Sequence, residues 1–142
     1  MKHNIFVLVV LFSMFSQAQE EHALAELKNL VWKNRIIIIN EPADANTARA
    51  ILADQVIEID DRDIIWFVIQ GELAFTNYLG TLSSDFVSNT RTKLKPVSEK
   101  IILIGKDGGV KSQHNDLDVS TTIGAIFSEI DAMPMRQREM QE

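Results

Sequence analysis

Cysteine is absent from the chain, and that absence closes several chemistries at once. Dithiol exchange and thiol-based peroxide reduction both need a thiolate. Disulfides cannot brace the fold, and a lipid-modified export signal has no attachment point. Positive charge is also scarce, with 14 Lys and Arg against 20 Asp and Glu and a net charge of −6. No basic stripe offsets that balance, so nucleic acid is excluded as a partner and an anionic membrane surface is disfavoured. The three histidines do not cluster, and no metal-ligand box is recognisable. Past the first residues, no apolar run approaches the ~20 residues that cross a bilayer. Internal repeats and low-complexity segments are missing as well.

What is present begins with a processing signal. Lys2 and His3 form a polar start, Ile5 to Phe12 is an unbroken apolar run, and Ser16 and Ala18 supply small residues before a cleavage point. The run is too short to span a membrane, which fits a cleaved export signal over residues 1–18. Residues 19–142 then form one domain with a short C-terminal tail, made more negative by one charge through loss of Lys2. That length suffices for a single packed core. The expected location is the periplasm or the exterior, with no stable membrane span in the mature form.

Hydrophobic periodicity orders the elements. Leu24, Leu27, Leu30 and Val31 predict a short helix over residues 20–33, with Trp32 sealing it against a sheet. RIIIIN, residues 35–40, is stiff at χ1 and lacks alternation, as a central strand buried on both faces would. Ala48, Ile51, Leu52, Val56 and Ile59 trace one helical stripe. DIIWFVIQG, residues 63–71, is a second strand, and strand–helix–strand predicts a parallel pair with a right-handed crossover. Ser83 or Ser84 caps a helix carrying Phe86, Val87, Thr90 and Leu94. IILIG, residues 101–105, runs through the turn signal KDGG into VKSQ as an edge hairpin. Asp118 or Ser120 caps a last helix carrying Ile123, Ile126, Phe127 and Ile130, which Pro134 stops.

This order predicts an α/β, three-layer thioredoxin-like fold with a central four-stranded mixed sheet and a C-terminal helix; a flavodoxin-like arrangement is the alternative. WKNRIIII, DDRDIIWFVI, IILIGKDGGVK and the terminal IDAMPMRQREM together resemble an uncharacterised bacterial exported domain family of unknown function. The resemblance runs from Trp32 to Met140, and IDAMPMRQREM is its most specific part. Related domains of animal extracellular matrix proteins are described as distant peroxiredoxin-like relatives. The resemblance implies a fold and an export route, and brings no catalytic residue with it.

In a thioredoxin-like fold the active corner follows the first central strand, here residues 40–49. Asp44, Asn46, Thr47 and Arg49 are the candidate ligand-binding residues, with Asn46 or Thr47 expected to cap the helix and leave N–H groups open to an anion. Glu41 and Asp44 are a weaker carboxylate pair. Asp60, Asp61 and Asp63 around Arg62 read as a solvated connection, with Arg62 pairing at most one neighbour at a surface. His114 with Asp116 and Asp118 is a poor cation site, and Ser112 and Ser120 lack a nucleophile elbow. Met133, Met135, Arg136, Arg138 and Met140 are the candidate partner-binding residues. Asp131, Arg136 and Arg138 could instead fasten the tail to the domain, and the three methionines could form a soft copper site. The tail is expected to be ordered through Arg136. The leading expectation is a non-catalytic exported binding or structural protein with no cofactor and an envelope or extracellular protein as partner. The alternatives are a thiol-free, hydrolase-like envelope enzyme or a weak copper-binding protein.

Overall fold

A computed structural model describes residues 23–96, 100–115 and 118–142. The export signal expected over residues 1–18 lies outside these, as does Asp116. The strands are β1 (Arg35–Asn40), β2 (Ile64–Gln70), β3 (Leu73–Thr76), β4 (Lys100–Ile104) and β5 (Val110–His114). They form one five-stranded sheet in the order β3-β2-β1-β4-β5. β1 and β2 run parallel, from Arg35 opposite Ile64 to Asn40 opposite Ile69. The other neighbours are antiparallel. The helices are α1 (Ala45–Asp54), α2 (Val56–Asp61), α3 (Phe86–Leu94), α4 (Val119–Asp131) and α5 (Pro134–Glu139).

The isoleucine run does what its lack of alternation implies. Ile37 and Ile39 face one core with Ala48, Leu52, Val68, Ile126 and Ile130. Ile36 and Ile38 face a second core with Leu27, Leu30, Phe67, Ile69 and Phe86. The Phe67 and Phe86 rings meet at 4.6 Å between centroids. Successive strand side chains point to opposite faces, so both sides of β1 are covered and the three-layer expectation stands.

Five expectations about elements change. The sheet has five strands, because Leu73–Thr76 turns back through Gly71 (φ +58) and pairs antiparallel with Phe67 to Gln70. The stripe from Ala48 to Ile59 is two helices that change direction at Gln55 (φ −104, ψ 24), leaving Ala48, Leu52 and Ile59 buried but Val56 55% exposed. The described part of the first predicted helix is a 3₁₀ turn at Leu27–Leu30, and Leu24 instead bridges to Leu82. Trp32 seals nothing; it sits at φ 66 and is 67% exposed, while its N–H donates to the Lys106 carbonyl. Pro134 occupies the first turn of α5, where its missing N–H costs nothing, so the polar tail continues as a helix to Glu139.

Candidate functional site

The carboxyl ends of β1 and β2, where open α/β sheets usually hold their ligands, are filled by the chain's own groups. Asp44 is the N-cap of α1, not Asn46 or Thr47 as expected. Its Oδ1 accepts from the Thr47 N–H at 3.1 Å and its Oδ2 from the Thr47 hydroxyl at 2.7 Å. Those two bonds hold the Asp44 carboxyl below its ordinary pKa. The carboxylate takes the place an anion would use at this helix start. Asp118 repeats the arrangement on α4 with Thr121. Arg49 lies 3.9 Å over the Phe75 ring, a cation–π contact that draws it onto the sheet. Asn46 is exposed at the surface. Glu41, at φ 47, accepts from the Gly71 N–H at 2.7 Å and from Arg91 at 2.8 Å, tying β1 to the β2–β3 turn and to α3. Glu41 and Asp44 are thus committed to separate partners.

The amino ends of the same strands carry a buried ion-pair network that sequence separation had hidden. Arg35 is 1% exposed; its guanidinium donates to both Glu139 carboxylate oxygens, at 3.0 and 3.2 Å, and to the Arg62 carbonyl. Arg62 is buried, grips Asp131 through two bonds of 3.0 and 2.7 Å, and meets Glu58 at 2.6 Å. Arg136, also buried, bonds Asp131 and Asp61. Lys106, from the KDGG turn, reaches Asp63 at 2.8 Å and Glu139 at 2.7 Å. Arg62 is therefore not a solvated connection; it bonds across 69 residues to α4. Hydrogen bonds from Arg62, joined by Arg136, hold the Asp131 carboxyl low despite its partial burial. Burial alone would raise Glu139, but Arg35 and Lys106 outweigh it and the net shift is downward.

This network explains the terminal IDAMPMRQREM. Asp131, Arg136 and Glu139 turn inward, and Met133 packs against the core. Arg138 and Met140 turn outward, and Arg138 has no ion pair among the described residues. Met133, Met135 and Arg138 share a cleft of about 300 Å³ with Lys106 and Lys111. Arg136 lies beneath the surface.

Ser112, His114 and Glu129 are also brought together. The Ser112 hydroxyl donates to Glu129 at 2.9 Å, and His114 Nε2 lies 3.2 Å from that hydroxyl and 3.8 Å from Glu129. A nucleophilic serine must give its proton to the histidine. Here the proton points at the carboxylate, an arrangement that ties edge strand β5 to α4.

A groove of about 820 Å³ lies along the outer edge of β2 at its amino end. Leu52, Ile59 and Trp66 form its buried floor. Val56 and Leu79 stand at its rim, with Leu79 fully exposed. Asp60 and Asp63 lie at one end. The groove is not legible in the sequence, because Val56 continues the apolar stripe that runs from Ala48 to Ile59. Residues 72–82 mix aromatics with turn formers and carry no single periodicity.

Comparison with known proteins agrees with the fold. A family model described as "Domain of unknown function (DUF4174)" matches residues 26–139. No curated protein matches the sequence. Among solved structures, the chain is similar to thioredoxin peroxidase I of Plasmodium yoelii, at 14% identity and a TM-score of 0.56, covering 79% of each chain. It is also similar to the reduced 2-Cys peroxiredoxin of Plasmodium vivax, at 15% identity and a TM-score of 0.52, covering 79% of this chain and 72% of that one. The mitochondrial 2-Cys peroxiredoxin of Plasmodium falciparum gives 12% identity, a TM-score of 0.51 and coverage of 75% and 79%. At such identities the likeness concerns the thioredoxin-like fold and not the chemistry.

Proposed function

The chain belongs to this family of unknown function, and from that premise we propose that it is a non-catalytic binding protein. It keeps a thioredoxin-like frame and binds through the apolar groove beside β2. The observation that carries the proposal is the groove itself, with a buried aromatic floor and a fully exposed leucine at its rim. Covering a large apolar side chain contributes roughly 1.5–3 kcal/mol, so Leu79 and Val56 leave a substantial gain to a partner. Two further facts favour binding over chemistry. The chain has no thiol, and the polar groups at the carboxyl-end corner are engaged with one another.

The test uses an apolar dye whose emission rises on leaving water. Saturable binding is expected, lost in the double variant Val56→Glu, Leu79→Glu with its circular dichroism unchanged. Equal dye binding by the variant would place the apolar site elsewhere. We further propose export to the periplasm or exterior, on the strength of the Ile5 to Phe12 run and the small residues Ser16 and Ala18. Amino-terminal sequencing of protein recovered outside the cytoplasm should then begin near Gln19, and an intact Met1 start there would contradict it.

A further inference from the structure

Among the described residues, the first part of β2 has no strand on its outer side. β3 pairs with Phe67 to Gln70, and the chain then turns away at Asn77. The Asn77 side-chain amide occupies the vacated place. Its Oδ1 accepts from the Trp66 N–H at 2.8 Å, and its Nδ2 donates to the Ile64 carbonyl at 3.1 Å. A carbonyl and the N–H two residues further on are the pair that one residue of a parallel neighbour satisfies with its own N–H and C=O. Asn77 thus stands in for a single residue of a parallel strand opposite Ile65. This edge is one wall of the groove, since Ile64, Ile65, Trp66 and Asn77 all line it.

We propose that this edge receives an extended peptide segment of another protein, added to β2 as a parallel strand where the Asn77 amide now sits. The proposal rests on the binding-protein reading above and names its partner. Strand addition draws affinity from main-chain hydrogen bonds and specificity from alternate side chains, and the groove supplies the apolar surface for those side chains. A side-chain amide leaves by rotating about its own bonds, so the exchange requires no strand to unpair. While the site is empty, the same amide keeps the edge from indiscriminate pairing. Direction sets the charge preference. A parallel peptide places its amino end beside the start of β2, where Asp60 and Asp63 lie. Asp63 is paired with Lys106, whereas the exposed Asp60 side chain has no hydrogen bond or ion pair among the described residues. The segment that fits is apolar at alternate positions and carries a lysine or arginine at its amino end.

The experiment uses the full chain with isotope-labelled backbone amides and short synthetic peptides alternating valine and threonine. One peptide has lysine at its amino end, one has lysine at its carboxyl end, one has glutamate at its amino end, and one is interrupted by proline. The amino-terminal lysine peptide should bind most tightly and move the Trp66 amide signal. Asn77→Ala should tighten it about fivefold or more, because no amide then has to be displaced. Asn77→Asp, which keeps the acceptor and loses the donor, should shift it in the same direction by less and guards against misfolding of the alanine variant.

A Trp66 amide that does not move, or no tightening in either variant, overturns strand addition. Preference for the carboxyl-terminal lysine overturns the parallel direction. Self-association of Asn77→Ala in sedimentation without peptide binding makes the occupant a second copy, and the proposal fails. The dye assay separates this failure from that of the broader reading. Dye binding lost in Val56→Glu, Leu79→Glu, with no peptide binding, sinks the strand proposal alone, whereas dye binding unaffected by those substitutions sinks both.

Discussion

Glu139 shows how one carboxylate can hold two distant cations. It closes a two-bond contact with the 1% exposed Arg35 and a second contact with Lys106. Removing one partner of a buried pair leaves the other charged and desolvated, which costs more than the pair contributes. Glu139→Gln should therefore lower unfolding stability by about 3 kcal/mol, measured by urea denaturation. Arg138→Gln, one position away but exposed and without an ion pair among the described residues, should stay within about 0.5 kcal/mol of the parent. Equal losses in the two variants would deny the network its role. The contrast between Arg136 and Arg138 was only half legible in sequence. Fastening of the tail was foreseen, but which arginine points inward depends on the turn of a helix that Pro134 starts rather than ends.

At the scale of elements, α5 is a clasp on the amino ends of β1 and β2. It is only six residues long, too short to persist alone in water, so its order comes from Arg136, Glu139 and the contacts of Met133. Truncation before Pro134 should therefore destabilise the domain by more than Glu139→Gln does. Urea unfolding of the shortened chain measures this, and an unchanged midpoint would reduce the segment to a passive tail. The strands were readable because burial on both faces leaves an unbroken apolar run, as in IIII and IILI. β3 was not readable. LAFT is four residues beside a turn, and it becomes a strand only because β2 offers it an edge. The break at Gln55 was hidden for a related reason. The apolar stripe continues through it, and only the three-dimensional path shows Val56 leaving the core for the groove.

Over the whole molecule, acid should weaken the amino-end network. The folded-state pKa values of Asp131 and Glu139 lie below those of free carboxylates. Their stabilisation is thus complete above the ordinary carboxylate range and is lost as pH falls through the lower folded values. The urea midpoint should be flat from neutrality down to about pH 5 and fall below about pH 4, less steeply in Glu139→Gln. Identical acid slopes in parent and variant would place the sensitive carboxylates elsewhere. The sequence by itself determined the absence of thiol chemistry, the acidic balance, the two-faced central strands, the parallel pair and the thioredoxin-like class. Those follow from composition and short-range periodicity, which act within a few residues. Only the tertiary structure decided which acid meets which base, that Asp44 closes its own helix start, and that an asparagine amide completes the edge of β2 beside an apolar groove. The Asp44 cap is local, three residues from its partner, but Asn77–Trp66 and Arg35–Glu139 join groups 11 and 104 residues apart, and no local pattern encodes a meeting that the packing of the sheet brings about.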